Sequence, residues 1–345
     1  MTRILVTGAG SLVGFSILES LEGRRAGVEL FGISNGGGES EVARFDEFRV
    51  VPSSADPSFP AILERLIDDI APDLVIPGRD PDIGHLAALR DRRPDLAPVV
   101  MCGGSESAEL TMDKARTWAF ACEYGLPWAP TLVCGPSGAA ALPQFAASHP
   151  LPWVLKPAGG SASLGVLALT DPDHARWWVD RPGFVIQPLL GGARDLPEID
   201  LSAGIPWLVD TGDPHLRSVQ VVVGPDGRIV AMFCSDHVLG TGLTRASRAA
   251  TDPEALRIAE TWARSLAAVG WRGSLNVQMK VDPVSGPVPI EINARPSGAT
   301  HGRLLLGFDE IGIALRAWTG VELPPPPRPT GSAVVYRPRA WLGEL

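Results

Sequence analysis

A predicted β-hairpin late in the chain constrains the fold more than any other feature of the sequence. In segment 288–298, isoleucines alternate with Glu291 and Asn293, so a strand here buries one set of side chains and presents the other on the opposite face. Segment 275–281 alternates in the same way, and the stretch between the two segments has the composition of a hairpin loop. The pattern predicts two antiparallel strands that share one polar and one aliphatic face.

The register of this hairpin decides which polar side chains meet. Pairing Val281 with Val288 places Gln278 opposite Glu291 and puts Asn293 on the same face. A carboxylate and amide oxygens that converge from two strands suit Mg²⁺, which prefers oxygen ligands. A hairpin whose polar face is simply solvated is the alternative explanation.

A second motif lies near the middle of the chain. Strand-like residues 152–157 include Lys156, and the glycine-rich stretch 158–165 follows. Such a loop lets backbone N–H groups approach an anion closely, and the lysine adds a positive charge to the same place. A later apolar segment is interrupted at Gln187–Pro188, which suits a hinge around a flat base. Taken alone, the lysine and its loop also fit an ordinary hairpin whose lysine reaches solvent.

Along residues 111–320, the order of these motifs resembles the ATP-grasp superfamily, in particular the carbamoyl-phosphate-synthetase-like carboxylate–amine ligases. The motifs that carry the resemblance are, in chain order, Asp113–Lys114, Lys156 with its glycine loop, the hinge at 187–190, Glu198–Asp200, Gln278 and Glu291–Arg295. Two departures stand out, because Ala294 occupies a position where family members commonly have proline and segment 191–198 is atypical. Neither departure removes a metal ligand.

The resemblance implies an ATP site and assigns its residues. Phosphate contacts are implied for two lysines and the glycine loop, namely Lys114, Lys156, Gly159, Gly160 and Ser161. The hinge backbone is expected to contact adenine at Gln187, Pro188, Leu189 and Leu190, and Glu198 is expected to approach the ribose. Two Mg²⁺ ions, with Mn²⁺ as an alternative metal, are expected on Gln278, Glu291 and Asn293, with Glu291 bridging the ions.

Arg295 and Lys156 are the first candidates for catalytic residues. Arg295 follows the Asn293 ligand by two residues, so it can meet a phosphate or a carboxylate beside the metals. Its guanidinium and the Lys156 ammonium are expected to offset negative charge as a phosphoryl group is transferred.

Further catalytic candidates lie between the two motifs. Arg245 and Arg248 fall in a predicted loop, 240–248, and similar loops in the ligases that the chain resembles direct arginines toward phosphates or the acyl substrate. Arg217 opens a predicted strand upstream and is a weaker candidate. Solvated surface arginines are the alternative for each of them.

The N-terminal third begins with a Rossmann-like turn. A buried-type strand, 3–7, leads into the glycines of segment 8–14 and a predicted helix, 15–21. The spacing is GxGxxxG instead of the dinucleotide form GxGxxG, and the first acidic residue after the second strand is Glu39. A nicotinamide-dependent oxidoreductase is therefore a minor alternative, since the ligases that the chain resembles carry a similar domain that usually binds no dinucleotide.

A charged stretch follows a later strand of this domain. Residues 74–82 read as a strand that runs into a charged loop with Arg79, Asp80 and Asp82. Loops at the carboxyl ends of parallel strands line ligand crevices, so these side chains are candidates for contacting a co-substrate. A simple polar turn is the alternative, and His301 is a weak candidate for the same acceptor pocket.

The predicted fold class is α/β, with an α+β character in the C-terminal part. A Rossmann-like domain, 1–110, is expected to precede a two-lobed ATP-grasp domain, 111–320, whose small lobe spans about 150–188. The proline-rich segment and predicted terminal strand of 321–345 complete the chain.

Composition narrows the class of protein. The chain has 345 residues, 45% of them hydrophobic, and no apolar run approaches the ~20 residues that a membrane helix needs. A net charge of −9 argues against general nucleic-acid binding. The four cysteines lack metal or redox spacing, and no signal peptide is recognisable, so a cytoplasmic protein with reduced thiols is expected.

The sequence therefore predicts an ATP-dependent ligase that activates a small-molecule carboxylate as an acyl phosphate and joins it to an amine. Amino-acid-derived metabolites are expected substrates by analogy, and a homodimer is left open. A carbamoyl or other non-amide product, the oxidoreductase, and a nucleotide-binding protein without catalysis are the alternatives.

Overall fold

The computed structural model describes residues 1–160, 163–191, 205–206, 216–240, 243–326 and 333–335. Within these residues the backbone forms a parallel sheet and two antiparallel sheets, with helices packed on them. The sheets follow one another along the chain.

The first region is a parallel sheet between helices. Its strands are β1 (Thr2–Thr7), β2 (Val28–Ser34), β3 (Glu47–Val50) and β4 (Leu74–Pro77), in the spatial order β3-β2-β1-β4. Its helices are α1 (Leu12–Leu21), α2 (Glu39–Val42), α3 (Phe59–Ile70), α4 (Asp80–Arg92) and α5 (Ser105–Met112), with a 3-10 turn at Pro94–Leu96. Because the strands are parallel, their carboxyl ends meet at one edge, which is where ligand crevices form in such sheets.

The second region is a small antiparallel lobe. It begins with α6 (Lys114–Tyr124), and its sheet contains β5 (Leu132–Val133), β6 (Trp153–Pro157), β7 (Leu167–Leu169), β8 (Phe184–Pro188) and β9 (Ile205–Pro206), in the order β5-β8-β6-β7-β9. Helices α7 (Gly138–Ser148) and α8 (Pro172–Arg176) belong to the same region. Trp153, Leu155 and Ile186 are buried in a separate apolar cluster whose members, among the described residues, all lie between Leu132 and Ile186.

The third region is a larger antiparallel sheet. Its strands are β10 (Leu216–Val223), β11 (Ile229–Gly240), β12 (Leu243–Ala249), β13 (Gly273–Asp282), β14 (Gly286–Asn293) and β15 (Ala333–Val335), in the order β14-β13-β10-β11-β12-β15. The accompanying helices are α9 (Pro253–Ala268), α10 (Thr300–Leu305) and α11 (Glu310–Thr319).

Helix α9 shows how the sequence builds this region. The Asp252 carboxylate caps its N-terminus by accepting hydrogen bonds from the backbone N–H groups of Glu254 and Ala255. Ile258, Trp262 and Leu266 recur on one face of the helix, and all three are buried. This face packs on β10 and β11 and belongs to a continuous apolar core that also includes residues of the first sheet.

The predicted hairpin forms, with one irregularity. Gln278 pairs with Glu291 as expected, but Lys280, and not Val281, pairs with Val288. The expected pairing of Val281 with Val288 is therefore wrong by one residue, because β14 contains a bulge at Ile290. The bulge follows Pro289, which has no N–H group to give to the ladder.

Three other local predictions need correction. The charged stretch after β4 is the first turn of α4, which begins at Asp80. The segment expected as an arginine-bearing loop is mostly strand β12. Helix α1 begins at Leu12, earlier than the expected Phe15, because the Ser11 side chain caps it.

No helix within the described ranges is long and apolar enough to cross a membrane. Of the cysteines, Cys102, Cys134 and Cys234 are buried and Cys122 is exposed, and none forms a disulfide.

Candidate functional site

A cleft of about 760 Å³, partly open to solvent, separates the small lobe from the third sheet. Its polar and glycine lining includes Lys114, Lys156, Gly159, Gly160, Ser163, Gln278, Lys280 and Glu291. Its apolar lining includes Val154, Val166, Pro188, Leu189, Leu190, Leu216, Leu239 and Ile290. Two strands of one hairpin and a loop of the other lobe thus meet around one space.

The hairpin places Gln278 and Glu291 side by side on the cleft wall. Asn293 lies one pair further along the same face, beside Arg295, whose Nη2 donates to Asn293 Oδ1 at 3.3 Å. Asn293 is buried and is not among the residues that line the cleft. The predicted metal ligands therefore share a face, with two of them open to the cleft.

Glu291 is held as a carboxylate by the cations around it. Lys114 Nζ lies 2.9 Å from Glu291 Oε1 and 3.4 Å from the carbonyl oxygen of Gly160. Burial by itself raises the pKa of Glu291, but the charges of Lys114, Lys156 and Arg295 outweigh it and lower the pKa below its usual range. Glu291 is therefore ionised at neutral pH and able to bind a cation.

Lys156 is held by a partner that the sequence did not reveal. Its Nζ donates to Gln187 Oε1 at 2.8 Å, and Gln187 Nε2 donates to Thr131 Oγ1 at 3.0 Å. Burial lowers the pKa of Lys156 to about 8. The positive charge of Lys114 lowers this pKa further, and the negative charge of Glu291 only partly offsets both effects. The Lys156 side chain is thus largely protonated at neutral pH and places a positive charge at the cleft.

Pro188, Leu189 and Leu190 of the hinge line the cleft, but some polar groups of the hinge already have partners. The Gln187 side chain binds Lys156, and the backbone N–H of Leu189 donates to the carbonyl oxygen of Pro152 at 3.0 Å. Pro188 has no N–H group. Adenine recognition by the hinge backbone stays a prediction. Ser161 and Glu198, predicted to contact phosphate and ribose, lie outside the described residues.

The donor set fits Mg²⁺ when a nucleotide supplies further oxygens. Among the described residues, no group of three or more His, Cys, Asp and Glu side chains could hold a metal ion. Gln278, Glu291 and Asn293 offer one carboxylate and two amide oxygens, which suits a hard cation that keeps water and phosphate oxygens as its remaining ligands.

Two of the predicted arginines lie away from this cleft. Arg217 Nε is 2.7 Å from Asp236 Oδ1, and Arg217 also pairs with Asp252, the residue that caps α9. Arg248 Nη2 is 3.3 Å from Asp236 Oδ2, and its side chain is 71% exposed. Side chains alternate across a strand, so Arg217 faces α9, while its neighbour Ser218 shares the face of Gln278.

β12 places Arg248 opposite Asp236, on the α9 side of the sheet, and its expected role toward the phosphates or the acyl substrate stays a prediction. Arg245 lies at a register shift in β12, where Val238 pairs with Ala246 and Leu239 with Thr244. Its role stays a prediction.

Arg295 connects the hairpin to the first sheet. Its Nη2 lies 2.7 Å from Oδ2 of Asp80, the first residue of α4 at the carboxyl edge of the parallel sheet. Nearby, Arg79 donates to Asn35 Oδ1 at 2.9 Å and pairs with the buried Asp82 at 3.1 Å. The carboxyl edge of the first sheet thus meets the face of the hairpin that carries the predicted metal ligands.

His301 lies at the same junction, and its hydrogen bond there is made by its backbone. Its N–H donates to Ser16 Oγ at 2.8 Å, and burial lowers the pKa of its side chain. Nδ1 of its imidazole is buried and has no hydrogen-bond partner among the described residues, and its role in an acceptor pocket stays a prediction.

A buried polar layer under the hairpin was missed by the sequence analysis. Gln220 accepts from Asn276 Nδ2 at 2.8 Å and donates to Glu310 Oε1 at 2.7 Å. His237 contacts the hydroxyl groups of Ser218 and Ser247, each at 2.8 Å. The signal was present, since polar residues alternate with valines along β10 in phase with Gln278.

Comparisons with known proteins agree with this architecture. No protein-family model matches the sequence, and no curated protein matches it significantly. Among solved structures, N5-carboxyaminoimidazole synthetase from Staphylococcus aureus complexed with ADP is 14% identical, with a TM-score of 0.69 over 94% of this chain and 78% of the other.

Two further solved structures are similar. Biotin carboxylase from Campylobacter jejuni in a βγ-ATP complex is 16% identical, with a TM-score of 0.64 over 94% of this chain and 72% of the other. An L-amino acid ligase from Bacillus licheniformis is 13% identical, with a TM-score of 0.64 over 93% and 75%. These likenesses confirm the predicted ATP-grasp fold.

Proposed function

We propose that the chain is an ATP-dependent ligase that activates a small-molecule carboxylate as an acyl phosphate and joins it to an amine. The observation that carries this proposal is the convergence of Lys114 and Lys156 with Gln278 and Glu291 on one cleft between two sheets. Enzymes of the same fold have been solved with ADP or an ATP analogue, which supports a nucleotide in this cleft.

The cleft is lined by two kinds of residue. Its apolar residues, which include Leu189 and Leu190, suit adenine, and its lysines and glycines suit the phosphates. At ~4 Å and an effective dielectric of about 20, one lysine–phosphate charge pair is worth about 4 kcal/mol before desolvation. The Lys114–Glu291 ion pair must open for this arrangement, since each partner then binds a different part of Mg·ATP.

Gln278, Glu291 and Asn293 are the residues that would hold Mg²⁺, as two ions and with Mn²⁺ as an alternative. When bound, the metal supplies positive charge to the phosphate oxygens and orients them. The chain itself contributes cations at Lys114, Lys156 and Arg295, all of which act on Glu291.

The reaction has two transfers. A carboxylate oxygen attacks the γ-phosphorus, the bond from that phosphorus to the β-bridging oxygen breaks, and ADP leaves. The amine nitrogen then attacks the acyl carbon, phosphate leaves with the carbon–oxygen bond electrons, and the nitrogen loses a proton. Arg295 lies beside the ligand face, where it can hold the reacting carboxylate or the transferred phosphoryl group.

The test is ADP release from Mg·ATP across a matrix of small carboxylic acids and amines, with mass spectrometry of the active mixtures. A new mass equal to acid plus amine minus water establishes the ligase. A carbamoylated or other product would revise the second transfer only. Binding of NADPH without any binding of Mg·ADP would overturn the proposal and favour the oxidoreductase.

A further inference from the structure

The ion pair between Asp80 and Arg295 links two parts of the chain that are 215 residues apart in sequence. Asp80 opens α4 in the first region, and Arg295 follows the metal-ligand strand. The Asp80 side chain is 25% exposed and the Arg295 side chain 10% exposed, so the pair is mostly buried, with its carboxylate the more accessible partner. Such a pair at a junction of two regions suits a ligand that carries both charges.

Arg295 has more donors than its neighbours use. Its Nη2 donates to Asp80 Oδ2 at 2.7 Å and to Asn293 Oδ1 at 3.3 Å, and its Nη1 donates to the carbonyl oxygen of Pro296 at 3.2 Å. Its Nε is buried and has no hydrogen-bond partner in the part of the chain that the structure describes. A buried donor without a partner calls for an explanation, and a ligand that completes it is one.

The arrangement of these donors points to a carboxylate. Nε and Nη2 of one guanidinium form a planar fork that binds both oxygens of a carboxylate. Asp80 occupies only the Nη2 side of the fork, so it holds part of the position that a substrate carboxylate would take. A substrate acid bound to the fork would therefore lie next to the Asp80 carboxylate.

The Asp80 carboxylate determines which substrate acids can bind to the Arg295 fork. An acid whose carboxylate is its only charged group would bring two like charges together in a partly buried place, which is unfavourable. Arg79 does not relieve the repulsion, because it is already bound to Asp82 and Asn35. An ammonium group on the carbon next to the carboxyl carbon would lie between the two carboxylates and attract both.

We propose that Asp80 and Arg295 form a zwitterion clamp that selects an α-amino acid as the carboxylate substrate. The Arg295 fork binds the carboxylate, and Asp80 binds the ammonium. This inference rests on the proposed ligase function, which it deepens by naming the class of the acid.

The clamp has a consequence for the product. The ammonium held by Asp80 keeps its proton and has no lone pair with which to attack an acyl phosphate. The attacking nitrogen therefore comes from the second substrate, and the first amino acid keeps its own amino group. The expected product is an α-aminoacyl amide, and a dipeptide when the second substrate is also an amino acid.

The test compares amino acids with the same acids that lack the amino group. Alanine is paired with propionate, leucine with 4-methylpentanoate, and phenylalanine with 3-phenylpropionate, and the full set of proteinogenic amino acids completes the panel. Thermal shift in the presence of Mg·ADP reports binding, and ADP release from Mg·ATP with a fixed excess of amine reports turnover. The wild type is expected to prefer the amino acids by about tenfold or more.

The Asp80→Asn variant distinguishes a role in amino-acid recognition from a general loss of activity. It should raise KM for the amino acid by about tenfold or more and reduce the preference over the amino-free acid by a similar factor, with a smaller effect on kcat. Asp80→Glu keeps the charge and should restore part of the preference, which a purely structural role for Asp80 does not predict. Glu254→Gln removes an exposed partner of Arg257 on α9 and serves as the matched control.

The outcomes distinguish the clamp from the ligase. If Mg·ADP fails to bind the wild type, both proposals fall. If amino-free acids drive ADP release as well as amino acids do, or Asp80→Asn lowers both equally, the clamp is wrong and the ligase stands. If Mg·ADP binds but no amino acid in the panel shifts the melting temperature or releases ADP, the clamp is also overturned.

Discussion

The chain contains two glycine-rich loops that look alike in sequence and differ in what surrounds them. In segment 8–14, a Cβ atom on Gly10 would lie 1.7 Å from the carbonyl oxygen of Gly36, and one on Gly14 would lie 2.4 Å from the carbonyl oxygen of Ala9. In the loop after Lys156, a Cβ on Gly159 meets nothing closer than 3.7 Å, and one on Gly160 meets nothing within 4 Å.

The first loop is glycine-rich because the protein itself fills the space. Gly10 packs against another segment of backbone, and Ser11 caps α1 and donates to the carbonyl oxygen of Gly78 at 3.1 Å. The second loop is open beside a half-buried lysine and a carboxylate. A glycine pattern therefore indicates an anion site only when open space and a cation accompany it, which is why we propose the second loop as the nucleotide site.

The largest effect is expected at the carboxylate that faces the second loop. Glu291→Ala should lower ADP release by about 10³-fold or more, because it removes the only carboxylate of the predicted metal set. The unfolding temperature should change little, since the side chain faces the cleft. Wild-type turnover by this variant would contradict the metal assignment.

A substitution in the first loop should lower the stability of the protein and leave nucleotide binding unchanged. Gly10→Ala should lower the free energy of unfolding by about 2–3 kcal/mol, because the added methyl group collides with the backbone at Gly36. Urea denaturation measures this loss. The affinity of the folded fraction for Mg·ADP should stay that of the wild type, and a selective loss of Mg·ADP binding would reverse the roles of the two loops.

The charge beside the second loop should make nucleotide binding sensitive to pH. Because the pKa of Lys156 is about 8, the ammonium loses its proton as the pH rises through that value. If only the protonated form binds well, affinity for Mg·ADP should fall by about tenfold between pH 7 and pH 9. Calorimetry measures the profile, and Lys156→Arg, which stays charged, should flatten it. If the affinity of that variant for Mg·ADP depends on pH as strongly as that of the wild type, Lys156 is not the group that titrates.

The smallest effect is expected from a methyl group in the open loop. Gly159→Ala should leave the free energy of unfolding within about 1 kcal/mol of wild type, since the nearest atom lies at 3.7 Å. It should weaken Mg·ADP binding by about threefold to tenfold, because the methyl group enters space that a phosphate would use. A stability loss as large as that of Gly10→Ala would show that the two loops are packed alike.

The hairpin shows how far sequence reasoning reached. Strict alternation placed Gln278 opposite Glu291, because a polar and an aliphatic face leave few registers open. The bulge at Ile290 was not predicted, since alternation alone carries no sign of an extra residue. Pro289 was the available clue, because a residue without an N–H group interrupts a ladder.

The arginines mark the limit of that reasoning. Position after Asn293 favoured Arg295, but the sequence could not show that Arg248 lies in a strand or which face of the sheet its side chain takes. The Asp80–Arg295 pair and the Gln187–Lys156 hydrogen bond join residues from separate strands and helices. Such contacts follow from the packing of whole regions, which local patterns do not encode.

The most direct test of the central claim is a calorimetric titration of Mg·ADP into the wild type, Lys156→Met and Gly10→Ala, with NADPH as the comparison ligand. We expect Mg·ADP to bind the wild type and folded Gly10→Ala alike, and Lys156→Met at least about tenfold more weakly, with no heat from NADPH. Equal affinity of Lys156→Met and wild type for Mg·ADP, or binding of NADPH alone, would contradict the assignment of the nucleotide to the second loop.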